Sequence, residues 1–288
     1  MARIKQPVGR VAGIVLGIIG IVALASVYEV LSYNQHLRNP SDTTIPSVSQ
    51  LANGFVEICT PRTNPLKAAF GNGEDEQTFW DKVTSTWLFK DATATYGRLF
   101  KGMVWGCALS VVLGVLMGCY ESFAALLLPT LSFLAKVPGT AMLAVFFVLV
   151  GTGEAMFITM IGFGVLPTLT QAVYLSAKHD IHDEEINKAY TLGASNLEVV
   201  YNVVYKQILP KILESVRLQI GPAMVYLIAA EMLSAQVGLG YQIRLQQRLL
   251  NMAVVYDYLL LLGLSGLALD KGMLWFRRYW CPWYSRFR

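Results

Sequence analysis

Two ionisable residues stand inside apolar runs of this sequence, Lys136 in LAKVPGT and Glu231 in IAAEMLS. At bilayer depth a charge costs on the order of 2.5–3.5 kcal/mol on insertion scales. Each must therefore reach water, an anion or a counter-charge, or Glu231 must hold a proton. Pro138 follows Lys136 at a break in the run, and Ser234 and Gln236 extend the polar patch begun by Glu231. A broken helix frees carbonyls, which inside a membrane belong in a bundle interior or along a cavity. The chemistry open to these residues is the passage or gating of a solute, with Lys136, Pro138, Glu231 and Ser234 as the translocation-path candidates. Lys136 has snorkelling to the interface as its competing role, and Glu231 a purely structural one.

Other chemistries find less support. His179 and His182, with Asp180 and Asp183 beside them, offer metal-ligand types, but they begin a loop and no distant ligands accompany them. The acids suit a helix N-terminus instead, and no metal site is expected. Cys59, Cys107, Cys119 and Cys281 are scattered without a C-x-x-C pair, and read as two small buried hydrophobes and two loop thiols. The acidic triplet Glu74-Asp75-Glu76 reads as a solvated loop. No His/Asp/Glu cluster recurs within the apolar runs, so no catalytic residue is assigned. No G-x-x-x-x-G-K-[S/T] occurs, so the chain has no such route to ATP. Its basic residues gather at the edges of apolar runs rather than in a stripe interleaved with aromatics, which excludes nucleic acid as a partner.

These residues need an apolar scaffold, and the composition supplies one. The chain has 288 residues, 55% hydrophobic and 15% charged, with mean hydropathy +0.47 and net charge +4. That describes an all-α, polytopic membrane protein. Arg3, Lys5 and Arg10 precede an apolar run from Val11 to Tyr28, which places the N-terminus inside. A cleavable leader ending near Ala23-Leu24-Ala25 competes with retention, which the continued apolar character to Leu31 and the small-residue face of Gly13 and Gly17 favour. Residues 1–31 form this first helix and 32–92 an extracytoplasmic loop, rich in turn residues such as Asn39-Pro40, Thr60-Pro61-Arg62 and Asn64-Pro65, with a short helix around Phe79 to Phe89. The core runs over 93–270. Its first span, about Tyr96 to Tyr120, carries Gly102, Gly106, Ser110, Gly114 and Gly118 at four-residue intervals, a seam for close backbone packing. Ser122 to Val150 is interrupted at Pro129 and at Val137-Pro138-Gly139; Gly151 to Glu154 turns the chain outside, and Ala155 to Ala177 returns it with Pro167 as a kink. Further spans run from about Glu214 to Val237 and Val254 to Leu269. Between them Gly238-Leu239-Gly240 turns and Arg244 and Arg248 face outward, able to draw an anion or a binding protein. The tail, 271–288, holds Lys271, Arg277, Arg278, Arg286 and Arg288 inside, with Trp275, Tyr279, Trp280, Trp283 and Tyr284 at the interface. About six spans result, with both termini on one side.

The loop 178–213 shares that side. Ala189, Leu192, Leu197, Val200 and Val204 follow helical spacing, Gly193-Ala194-Ser195 allow a tight turn, and Leu209-Pro210 ends the second helix. The result is a helix-turn-helix knob that a partner could grip. KAYTLGAS with ILPKIL resembles the cytoplasmic coupling loop of binding-protein-dependent ABC importer permeases. AAEMLSAQVGLGYQI and FLAKVPGTAMLAVFFVLVGTGEA are similar to segments of the nitrate, taurine, alkanesulfonate and bicarbonate branch, and the likeness runs from about Thr93 to the C-terminus. Ala189, Gly193 and Leu209-Pro210 carry over residue by residue. Asn187-Lys188 stand where the general pattern has Glu-Ala, and Lys206 where many relatives place a proline.

The resemblance implies a type I importer permease bundle in the bacterial inner membrane. Its coupling loop, here Lys188, Ala189, Gly193, Ala194, Ser195, Leu209 and Pro210, would seat on ABC ATPase subunits that carry the ATP and Mg, leaving no cofactor in this chain. It also implies an extracytoplasmic solute-binding protein, a second permease copy or paralogue, surrounding lipid, and a small anionic solute such as nitrate, a sulfonate or bicarbonate. The competing reading is a secondary transporter driven by an ion gradient, which calls for inverted repeats with paired broken helices; one broken segment is apparent and no matching half. A membrane-embedded enzyme ranks below both.

Overall fold

A computed structural model describes residues 9–39, 42–60 and 86–285. The expectations for Arg3, Lys5, Pro40, the turns and acidic triplet between 61 and 76, Arg286 and Arg288 lie outside these residues.

The seam written by the small residues organises the bundle. Helix α3 (Trp87–Cys119) packs its glycine stripe on α6 (Glu154–His179). A Cβ on Gly102 would stand 2.6 Å from Cβ of Ile161, one on Gly106 2.9 Å from Cα of Gly162, and one on Gly114 2.6 Å from Cβ of Val173. No side chain fits in that gap, so van der Waals contact between backbones holds the pair together, as packing in lipid requires. The stripe is a bundle-interior seam within this chain. Residue numbers rise together along it, so α3 and α6 run parallel, and the chain between them must return across the same depth.

That return is a broken pair, α4 (Glu121–Leu134) and α5 (Leu143–Val150). Only one of the two expected interruptions breaks it. Pro129 lies inside α4, where a single lost N–H is tolerated, whereas Val137-Pro138-Gly139 lies in a stretch of turns from 135 to 142. Among the described residues, five helices are long and apolar enough to cross a membrane: α1 (Arg10–Arg38), α3, α6, the rod from Asn196 to Ser234, and α10 (Met252–Trp280). With the broken pair they supply the six crossings.

Helix α6 sits at the centre, with Met156, Ile161, Val165, Leu169 and Val173 nearly inaccessible. Against it lies α8 (Lys206–Ser234), burying Ile208, Ile212, Ala223, Leu227 and Ala230. Helix α10 runs antiparallel to α8 and is tied to it by ion pairs: Arg217 bridges Glu214 and Asp270, and Arg277 reaches Glu214. It is longer than the expected span. Lys271, Trp275, Arg277, Arg278 and Tyr279 continue the same unbroken helix rather than forming a separate tail, and the short α11 (Pro282–Ser285) follows.

The segment between α1 and α3 holds an unforeseen helix, α2 (Val48–Cys59). Ser47 and Gln50 close a capping box at its start, and Gly54 seats against Ala253 and Asp257 of α10. The helix expected near Phe79 to Phe89 proves, within the described residues, to be the first turn of α3 from Trp87. Helix α1 touches the rest only near its end, where Tyr28 meets Tyr256 edge-on at 5.9 Å and donates to the carbonyl of Pro46 at 2.7 Å. Among the described residues nothing lies within 4 Å of a Cβ on Gly13 or Gly17, so the expected small-residue face meets no partner among them.

Candidate functional site

At the end where α6 terminates, the chain makes an elbow. Helix α7 (Asp183–Thr191) opens with Asp183, Glu184 and Glu185, which complement the positive end of its dipole. Gly193 then turns with φ +87°, a left-handed geometry that L side chains adopt only at a cost. Ser195 restarts the helix through a second capping box: its N–H and hydroxyl both donate to Glu198 at 2.8 Å. The turn is polar, yet Leu192 just before it is 88% exposed, and Leu197 and Tyr201 at the start of the rod that follows are 79% and 60% exposed. Such a patch around a sharp turn is a surface built to be covered.

From the elbow the chain enters the bundle as one rod, Asn196–Ser234. Pro210 does not end a helix there; it is buried inside α8. Directly before α8, Val199–Tyr205 form a π-helix, whose wider turn carries one extra residue. The extra residue keeps the buried stripe aligned, because Val199, Val204, Ile208 and Ile212 are spaced by five, four and four. The seven coupling candidates therefore divide. Lys188, Gly193 and Ser195 are exposed on the elbow with Ala189 and Ala194 half-buried, whereas Leu209 and Pro210 belong to the rod's packing face.

At the opposite end, Glu231 is fully enclosed in a polar cluster. Arg98 of α3 donates to Glu231 at 2.8 Å, to the carbonyl of Val237 at 2.7 Å and, through Nε, to Glu154 at 2.9 Å, with its guanidinium 4.5 Å over the Phe157 ring. The hydroxyl of Thr95 donates to Glu231 at 2.9 Å and accepts the Leu239 N–H at 2.9 Å; the Gly240 N–H reaches Glu231 at 3.0 Å and the Gly238 N–H reaches Asp91 at 2.9 Å. The loop from Ala235 to Gly240 is thus bound to α3 and α8 at once, and Arg98 links it on to Glu154 of α6. Arg98 went unrecognised in the sequence because a span begun at Tyr96 leaves it near the interface; the signal was that Glu231 needed a basic partner at depth.

The other path candidates stand apart from Glu231. Ser234 donates to the carbonyl of Ala230 at 3.2 Å, within its own helix. Lys136 and Pro138 are exposed on the α4–α5 break, next to the Tyr226 ring that contacts Gly139. Of the outward arginines, Arg248 is exposed on α9 (Leu239–Arg248), while Arg244 donates to the carbonyl of Leu233 at 2.9 Å and closes the end of α8. His182 stands at the N-cap position of α7 without a side-chain capping bond, and His179 is exposed at the end of α6.

Comparison with known proteins agrees in sequence and in fold. Residues 110–280 match the family described as binding-protein-dependent transport system inner membrane component. The chain is 24% identical to the taurine transport system permease protein of Escherichia coli, over 69% of this chain and 72% of that one. It is also 24% identical to the bicarbonate transport system permease protein of Synechococcus elongatus, over 94% and 90%. Among solved structures it is similar to a chain of the MetNI methionine ABC transporter in an inward-facing form. There the TM-score is 0.53 at 19% identity, covering 67% of this chain and 94% of that one, a likeness of fold.

Proposed function

Because this chain belongs to the family of binding-protein-dependent transport system inner membrane components, we propose that it is the membrane subunit of an ATP-driven importer for a small anionic solute. The exposed elbow carries the reading. An apolar knob around Gly193, continuous with a rod that runs the depth of the bundle, is what a separate motor needs to move the bundle from outside it. ABC ATPase subunits holding the ATP and Mg would grip Leu192, Leu197 and Tyr201 on either side of Gly193, and Lys188, Ala194 and Ser195 would shape the turn they meet. Closure of the ATPases would draw two elbows together and turn the paths toward a solute-binding protein, and release of products would turn them inward. The second elbow comes from another copy of this chain or a paralogue, and the Gly13 and Gly17 face of α1, which meets no neighbour among the described residues, offers that copy a place to pack. The elbow end, with the end of α10, faces the cytoplasm of a bacterial inner-membrane protein.

The substrate class follows the relatives named for taurine and bicarbonate, together with Lys136, which no carboxylate reaches among the described residues. A gradient-driven carrier gains nothing from the comparisons and leaves the elbow without a task. In co-purification from native membranes an ATPase should accompany this chain, and Gly193→Trp should insert normally but abolish uptake. Uptake at the wild-type rate in Gly193→Trp, or full transport by the chain without any ATPase, overturns the reading.

A further inference from the structure

At the α4–α5 break the ring of Tyr226, from α8, lies across glycines of two other segments. A Cβ on Gly139 would stand 2.6 Å from Cε1 of Tyr226, and one on Gly164 would meet the ring more closely still. The two glycines form a slot that holds the phenol. The residue is half-buried, and its hydroxyl has no partner among the described residues. Gly164 and Thr168 share a face of α6 at i, i+4, and Gln219 and Tyr226 share a face of α8 at i, i+7. Across that seam the Thr168 hydroxyl donates to Gln219 at 3.1 Å in an exposed position. Phenol, hydroxyl and amide therefore fall in a line about 10 Å long, at ~1.5 Å per residue. The line sits near the middle of α6, far from either end of its Glu154–His179 span. Beside it Lys136 and Thr140 are exposed on the break, and no carboxylate reaches Lys136 among the described residues. An ammonium and a free phenol facing hydrocarbon at that depth would be costly.

We propose that this face lines a water-filled path, that Tyr226 is its narrow and specificity-determining point, and that the ligand it selects is a small oxyanion. The anion accepts a hydrogen bond from the phenol hydroxyl and is balanced by the Lys136 ammonium, while the Gln219 amide offers donors one step toward the elbow. The proposal rests on the importer reading and adds the residues that would choose the cargo.

The test uses Thr168→Cys in the assembled complex, with the four native cysteines replaced by alanine, and compares an anionic sulfonatoethyl with a cationic trimethylammonioethyl methanethiosulfonate reagent. The anionic reagent should react about tenfold faster, and Lys136→Gln should reduce that preference to less than twofold. Reagent added from the side of Glu154 should react at least tenfold faster when Tyr226→Ala removes the narrow point. An unreactive Thr168→Cys from either side, equal rates for both reagents, or a rate indifferent to Tyr226→Ala overturns the proposal. ATPase retention is read in the same preparation. Its loss from the unmutated complex refutes the importer reading and leaves the labelling result standing; retained ATPase with an unreactive cysteine refutes the path alone.

Discussion

Arg98 is the residue on which the end of the bundle opposite the elbow depends, because one guanidinium serves two carboxylates and a carbonyl from three different segments. Removing one partner of a buried ion pair leaves the other charge enclosed and unbalanced, a loss of about 3–5 kcal/mol, whereas replacing both with apolar groups of similar size is often neutral. Arg98→Met should therefore lower the thermal stability of the detergent-purified protein by several degrees, and Arg98→Met with Glu231→Gln should recover much of it. An additive double mutant, with no coupling, would show that the cluster does not act as a unit. Glu231 was legible in the sequence as a charge at depth and Arg98 was not. A charge inside an apolar run announces itself, whereas one near the start of a span is indistinguishable from an interfacial residue until the helix is seen to begin nine residues earlier, at Trp87. Glu231→Leu should leave membrane insertion near wild type by fractionation while changing uptake kinetics, since Arg98 keeps Glu154 and the Val237 carbonyl as partners; unchanged uptake would make Glu231 a packing residue.

Among the elements, the glycine stripe of α3 was readable because its spacing is that of a helix face and its side chains are too small to do anything but admit a neighbour. The continuity of the rod was not. Pro210 reads as a stop, since proline removes a donor and crowds the preceding turn; the π-helix at Val199–Tyr205 directly precedes the α-helix that carries it. Only the five-four-four spacing of Val199, Val204, Ile208 and Ile212 hinted at an extra residue, and a β-branched run conceals that signal. Deleting Asn202, which is exposed, should convert the π-helix to α-helix and rotate the elbow by about 100° against the rod, one residue's turn at 3.6 per turn. We expect the complex to keep its ATPase but lose at least 90% of ATP-driven uptake, measured in proteoliposomes. Wild-type uptake in the deletion variant would show that the extra residue plays no part in coupling.

For the whole molecule, the parallel course of α3 and α6 supports the crossing that the sequence assigns to the interrupted run from Ser122 to Val150. Among the described residues that run holds one short apolar helix, Glu121–Leu134, and no helix long enough to span by itself. The seam requires it to cross, because Gly102 meets Ile161 and Gly114 meets Val173 in the same order, and a chain that runs twice in one direction must come back between. Counting that return fixes the elbow and the far end of α10 at one face, where Arg277 reaches Glu214, and α2 and α9 at the other. Sidedness is then a single binary quantity for the entire bundle. A cysteine at Gly193 should react with an impermeant maleimide only in inverted vesicles, and one at Gln247, exposed on α9, only in intact spheroplasts. If both positions react from the same side, the rod from Asn196 to Ser234 that separates them does not cross. If both are reversed, the elbow faces away from every cytoplasmic ATPase and no motor could act on it.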